Sequence, residues 1–249
     1  MKFVRLLAFA AMAAISTQAS AGLIAAYDFD GNAANNTQSS AYNLATVGAA
    51  DFSKQAYFSD GNGANYLNVT GPGGLTDWTL SLWLFTEQAN QGQFKGIFSN
   101  LVDPNTTNSW QIDSFDGDYR LISANGANST IGAVVANDWQ HIVVQKFSGS
   151  NARLYFNGAF VQNIGYNPGG LQNFRVGINR ATTESYTGYI DNIQIWNDSL
   201  LTAEAVAGLY RTGPGASTVS DTVAVPAPAT LLLFGFGLIM AVRTRLGKK

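Results

Sequence analysis

The chain has 249 residues, a net charge of −2 and charged side chains at only 12% of its positions. Such weak charge excludes electrostatic capture of nucleic acid or attachment to an anionic lipid surface. Cysteine is absent, so a domain working outside the cytoplasm rests on its packed core, on bound ions, or on both.

At the N-terminus, Lys2 and Arg5 precede an apolar run from Leu6 to Ile15, and Ala19, Ser20 and Ala21 supply small residues. This order reads as a secretory signal peptide over residues 1–21, cleaved between Ala21 and Gly22. A run of about ten apolar residues is too short to cross a hydrocarbon core of about 30 Å. The domain is therefore expected over residues 22–211, long enough to bury roughly 70% of its unfolded surface.

Within it the pattern is β almost throughout. Tyr27 to Asp30 alternates aromatic and acidic, as a half-exposed strand does. Asp60 to Gly63 is a turn, and Tyr66 to Val69 is the strand leaving it. Thr79 to Phe85 alternates and then loses its period, as a strand near the middle of a sheet does. Phe115 to Tyr119 joins two strands through a turn. Ile142 to Gln145 and Arg153 to Phe156 flank Ser148 to Asn151 as a hairpin, and Asn157-Gly158 offers a type I′ turn into Ala159, Phe160 and Val161. Gly188 to Trp196 is the last long strand. Strict alternation there puts Tyr189, Asp191, Ile193 and Ile195 on one face, and Ile190, Asn192, Gln194 and Trp196 on the other. Only Thr202 to Tyr210 has helical spacing, with Thr202 as N-cap. Short strands punctuated by turns define an all-β, two-sheet antiparallel jelly-roll sandwich with one short helix near its C-terminal end. Residues 212–224 read as a flexible linker.

The C-terminal stretch has three parts. Val225, Pro226, Ala227 and Pro228 form an extended step in which two prolines forbid helix. Ala229 to Val242 is apolar and spans about 21 Å as a helix, short for a permanent anchor. Arg243, Arg245, Lys248 and Lys249 follow, and such a cluster stays on the cytoplasmic side. Residues 225–249 thus resemble a PEP-CTERM sorting signal, with Ala227 where that family's motif usually carries Glu. The resemblance implies an exosortase-type processing enzyme, transient contact of the apolar helix with the inner membrane, and delivery to the cell envelope, surface or extracellular matrix. A simple tail anchor is the alternative.

Four stretches in order resemble the laminin-G-like, concanavalin A-like jelly roll. These are Gln55 to Val69, Asp77 to Trp83, Asp138-Trp139-Gln140-His141-Ile142 through Asn157-Gly158, and Gly188 to Trp196 with Leu200 and Tyr210 beyond. The similarity runs from about Ala25 to Tyr210. It implies that His141, the single histidine, is structural, and that Trp83, Trp139 and Trp196 belong to the core. Related jelly-roll glucanases carry Glu-x-Asp-x-x-Glu on one strand, a motif missing here. Asp113, Asp116 and Asp118 nevertheless have the acid–base potential of paired carboxylates, and one histidine without cysteine cannot build a zinc site.

Two sites are expected. Asp28 and Asp30 on the first strand and Asp191 on the last suit calcium, a hard cation that takes six to eight oxygens. The Asp60-Gly61 turn would add a carbonyl, and related folds hold a structural calcium where the chain ends meet. The alternative is that these carboxylates cap turns or face solvent. Trp110 and Tyr119 flank the Asp-rich turn, with Asn125 and Asn128 beyond as amide partners, and together suit a sugar-stacking platform. Core packing of both rings is the competing reading. The expected function is a non-enzymatic exported surface or matrix protein that binds polysaccharide or another glycan. A structural or adhesive protein binding protein or itself is the rival, and a glycan hydrolase the third reading.

Overall fold

The computed structural model describes residues 22–37, 42–69, 74–101, 109–147, 151–198 and 200–215. Residues 1–21 and 225–249, where a signal peptide and a sorting tail are expected, lie outside the described residues, as does the expected linker beyond Gly215.

In chain order the strands are β1 (Gly22–Tyr27), β2 (Ala45–Val47), β3 (Tyr57–Asp60), β4 (Tyr66–Val69), β5 (Trp78–Phe85), β6 (Lys95–Leu101), β7 (Trp110–Phe115) and β8 (Asp118–Ser123). They continue as β9 (Asn128–Ala133), β10 (Trp139–Phe147), β11 (Asn151–Phe156), β12 (Ala159–Ile164), β13 (Asn173–Val176) and β14 (Thr187–Asn197), and the helix α1 (Ala203–Thr212) follows. Two seven-stranded antiparallel sheets pack face to face. The front sheet runs β1-β14-β5-β10-β11-β12, with β3 also paired to β14, and the back sheet runs β2-β4-β13-β6-β7-β8-β9.

The expected turns form as their residues dictate. Asn157 and Gly158 both take positive φ, +49° and +77°, as a type I′ turn requires between β11 and β12. Asp116 and Gly117 do the same between β7 and β8. Thr202 caps α1, its Oγ1 accepting a hydrogen bond from Ala205 N at 3.2 Å. The first strand is shorter than its alternation suggests. It ends at Tyr27, because Asp28 Oδ1 accepts from Asp30 N and Phe29 turns to a φ of +51°.

The last strand departs from strict alternation. The pairing of β14 with β5 shifts between Asp191 and Gln194, where Asn192 has a φ of +45°. This bulge adds one residue and exchanges the faces beyond it. Ile190, Ile193 and Ile195 therefore all enter the main core. Tyr189 and Asp191 share the outer face with Gln194 and Trp196, in register with Phe85, Trp83, Ser81 and Thr79 of β5.

Inner faces of both sheets supply the main core, which includes Leu80, Leu82, Phe98, Ile112, Leu121, Ile142 and Phe174. Trp110 and Tyr119 stand in its middle, each fully buried, so the expected sugar platform on these rings is overturned. Trp110 stacks on Trp78 at 4.6 Å between centroids and 9° between planes, and donates its Nε1–H to Gly170 O at 2.9 Å. The hydroxyl of Tyr119 lies 3.3 Å from that of Tyr186. Both rings sit at inward positions of their strands, where shape complementarity to the opposite sheet decides their place. A second, smaller core lies on the outer face of the front sheet. There Leu201, Ala205, Val206 and Leu209 of the helical segment cover Val143, Tyr155 and Trp196.

Trp110→Ala removes one partner of a fully buried indole stack and is expected to cost about 3–5 kcal/mol of stability. A denaturant melt measures it. A loss below about 1 kcal/mol would contradict a core position for this ring.

Candidate functional site

Four aromatic residues from four neighbouring strands stand directly opposite one another on the outer face of the front sheet. Register pairs Phe58 of β3 with Tyr189 of β14, Tyr189 with Phe85 of β5, and Phe85 with Trp139 of β10. Ring centroids follow at 4.9, 6.0 and 5.6 Å, with interplanar angles of 39°, 58° and 49°. All four are half-buried, so each packs on its neighbours and still presents surface to solvent. Trp139 thus lies at the rim of the fold rather than in its core, whereas Trp83 and Trp196 are buried as expected.

Beside this ladder is a cleft of about 400 Å³, open to solvent and lined by Phe58, Phe85, Tyr189, Glu87, Gln88 and Thr187, among others. Its wall is held by the side chains of Gln91 and Thr86, the Thr86 hydroxyl donating to Thr187 O at 2.9 Å and accepting from Gln88 N at 3.1 Å. Gln91 Nε2 donates to Thr86 Oγ1 and to Thr187 O, each at 2.8 Å, and Gln91 Oε1 accepts from Thr187 N at 2.7 Å. This clamp fixes the loop that carries Glu87 and Gln88 against the start of β14. Lys54 Nζ lies over the Tyr189 ring, 5.0 Å from its centroid. The Tyr189 hydroxyl, then Glu87 and Asp51, raise the Lys54 pKa.

One row further along the same face, Asp191 is in register with Trp83, and Trp83 with His141. Asp191 is buried. Its Oδ1 accepts from Asn192 N at 2.7 Å, and its Oδ2 accepts from Gly215 N at 2.9 Å. Burial pushes its pKa up to about 7 against those two hydrogen bonds, and the charges of Asp28 and Asp30 push the same way. Asp28 and Asp30 thus lie close enough to Asp191 for their charges to act on it. Asp60 does not join them. Asp60 pairs with Thr187, four strand residues or about 13 Å from Asp191. Its carboxylate serves its own turn, accepting from Asn62 N at 2.9 Å and Asn65 Nδ2 at 2.7 Å. Among the described residues, no three acidic, histidine or cysteine side chains converge on one metal position. Asp28, Asp30 and Asp191 would have to be completed by backbone carbonyls or water to hold an ion.

The other residues singled out by sequence have local duties. Asn125 Oδ1 accepts from Ala127 N at 3.0 Å and from the Ser123 hydroxyl, which builds the β8–β9 turn on the back sheet, away from the ladder. Asp113 is buried and accepts from Arg120 Nε at 2.8 Å, Arg120 Nη2 at 3.1 Å and Gln111 Nε2 at 2.7 Å. The Arg120 guanidinium also stacks over Phe115, 3.6 Å from the ring centroid. Asp116 accepts from Gln93 Nε2 at 2.7 Å. Asp113 and Asp116 thus have separate partners instead of a shared cleft. His141 is fully buried, its Nε2 2.8 Å from Ser81 Oγ, and burial lowers its pKa to about 3. The neutral ring packs against Trp83 at 4.9 Å and Tyr210 at 6.2 Å. Its Nδ1 has no hydrogen-bond partner, so the orienting carboxylate of a Ser-His-Asp arrangement is lacking among the described residues.

Residues 60–207 match the laminin-G-type model described as the concanavalin A-like lectin/glucanases superfamily, and the chain belongs to this family. Among solved structures it is similar to domain 4 of AbnA, an extracellular arabinanase from Geobacillus stearothermophilus, in complex with arabinotriose. That likeness has 20% identity and a TM-score of 0.59, over 77% of this chain and 99% of that one. It is also similar to the receptor-binding domain of botulinum neurotoxin type G, at 15% identity and TM-score 0.57, over 76% of this chain and 51% of that one. A third likeness is to the ligand-binding domain of botulinum neurotoxin serotype D in complex with N-acetylneuraminic acid. It has 15% identity and TM-score 0.56, over 77% of this chain and 51% of that one. At these identities the likeness establishes the fold alone. No curated protein matches the sequence.

Proposed function

We propose that this is an exported, non-enzymatic surface or matrix protein that binds a glycan on the Phe58–Tyr189–Phe85–Trp139 ladder. The ladder carries the reading. Apolar C–H faces of sugars pack on aromatic rings while hydroxyls pair with neighbouring amides, and Gln88 lines the cleft beside three of the rings. Family membership supports it, as do two structural neighbours in complex with arabinotriose and with N-acetylneuraminic acid. A glycan array run beside a reducing-sugar assay tests the proposal. Binding without sugar release is expected, and Phe58→Ala should weaken it about tenfold, equivalent to about 1.4 kcal/mol, with folding retained. A folded wild type that ignores every glycan would transfer the assignment to an adhesive scaffold. The edge strand β12 favours that rival, because its Phe160 and Val161 are 53% and 40% exposed.

Calcium is proposed as a structural ion at Asp191, with Asp28 and Asp30 as neighbouring carboxylates. The support is a carboxylate whose ionisation is opposed first by burial and then by its acidic neighbours. A dication removes that opposition and ties the end of β1 to β14. At 100 times its dissociation constant it would stabilise the fold by about 2.7 kcal/mol. Chelation should therefore lower Tm, and Asp191→Ala should abolish the difference. Identical melting midpoints with calcium and with chelator would reject the ion.

Export through a cleaved C-terminal signal is proposed on the sequence order of prolines, apolar run and basic end. Intact-mass measurement of native protein should place the mature C-terminus near Pro226–Pro228. Full-length chain ending at Lys249 in the inner membrane would instead identify a tail anchor.

A further inference from the structure

One ring that lines the cleft, Tyr189, already carries a cation of the chain's own. Lys54 Nζ sits over the Tyr189 ring, and Glu87 and Asp51 both attract it. Three aromatic residues, Phe58, Phe85 and Tyr189, line the cleft together with the Glu87 carboxylate. The negative π faces of such rings attract a cation electrostatically, and a carboxylate on the rim adds to that attraction. Glu87 and Asp51 outnumber Lys54, so the local charge is negative once the lysine swings away. A uronate or sialate would meet like charge here, and a neutral sugar would gain stacking alone.

We propose, building on the glycan-binding reading above, that this cleft selects a protonated amino sugar, and that the Lys54 ammonium is the internal stand-in which such a sugar displaces. The ligand class is a glycan containing free hexosamine units, its ammonium group over the Tyr189 ring and toward Glu87, its ring faces on the ladder. Geometry favours displacement over joint occupancy, because the ammonium of Lys54 lies over the same ring. Lys54 is exposed on a loop and gives way at little cost, whereas the Gln91 clamp holds the Glu87 wall in place.

Titration calorimetry with a glucosamine tetrasaccharide and its fully N-acetylated counterpart tests this, since acetylation removes the charge and leaves the pyranose rings. The free amine should bind about two- to fivefold more tightly, the range of an exposed cation–π contact. Glu87→Gln should reduce the preference, leaving the part that the Tyr189 ring supplies. Lys54→Gln should tighten the amine form more than the N-acetylated form, because it both frees the Tyr189 ring and removes a repelling charge. Both side chains are exposed, so unchanged melting curves are expected for each variant. Equal or tighter binding of the N-acetylated form, insensitive to both substitutions, would overturn the amino-sugar inference and leave glycan binding standing. Failure of both tetrasaccharides and of every array glycan would overturn glycan binding itself. A lysine-rich peptide that competes as strongly as the amino sugar would overturn the glycan assignment in favour of a general ammonium site.

Discussion

The organisation of the front sheet depends on how β14 divides one of its edges between two partners. Along one side it pairs with β5; along the other it pairs first with β3, from Thr187 to Ile190, and then with β1, from Ile193 to Asn197. Between these two partners lie Asp191 and Asn192, and the bulge falls there. A strand flanked on one edge by two ends instead of one continuous neighbour needs local backbone freedom at the junction. Asn tolerates the left-handed conformation that the bulge demands. The junction thus shapes both candidate sites. It sets Asp191 beside the end of β1, where the charges of Asp28 and Asp30 act on it, and it leaves Tyr189, two residues earlier on the same face, in line with Phe58 and Phe85.

The outer face of the front sheet is divided between cover and exposure. Tyr210 near the end of α1 stacks on Trp83 at 5.5 Å, and the helix seals Val143, Tyr155 and Trp196 beneath Leu201, Val206 and Leu209. This makes a second core, in which His141 stays neutral because burial disfavours its charged form. The helix does not seal the ladder row, where Trp139, Phe85, Tyr189 and Phe58 remain half-exposed. Aromatic side chains suit that position: each buries part of a large apolar surface against its cross-strand neighbour and keeps a face or an edge free.

Features set by adjacent residues were legible in the sequence. The Asn157-Gly158 turn, the β10–β11 hairpin, the Thr202 cap and the short helix all follow from neighbours within a few positions, and all are present. Features set by pairing between distant segments were not. Alternation along β14 misassigns Ile193 and Trp196, because one inserted residue reverses the faces after Asp191. The Asp-rich turn between them made Trp110 and Tyr119 look like surface rings, yet both point inward, and Gln111 beside Trp110 lies on the opposite face of β7 and is itself buried. The adjacency of the first and last strands was readable, and with it the nearness of Asp28 and Asp30 to Asp191, whereas Asp60 lies apart through a register that no local pattern announces.

The ladder is the extreme case of this limit. Its members are Phe58, Phe85, Trp139 and Tyr189, scattered over 132 positions of the chain. They become neighbours only because β3, β14, β5 and β10 are adjacent in that order. Each alone reads as the outward or terminal residue of an ordinary strand. The inner faces of the two sheets are filled by mutual packing and leave no accessible surface for a ligand. Whatever this domain recognises through the front sheet must therefore be met on its outer side. There α1 covers the middle rows, and the ladder with the cleft beside it is left open, as is the single ring of Phe160 on β12.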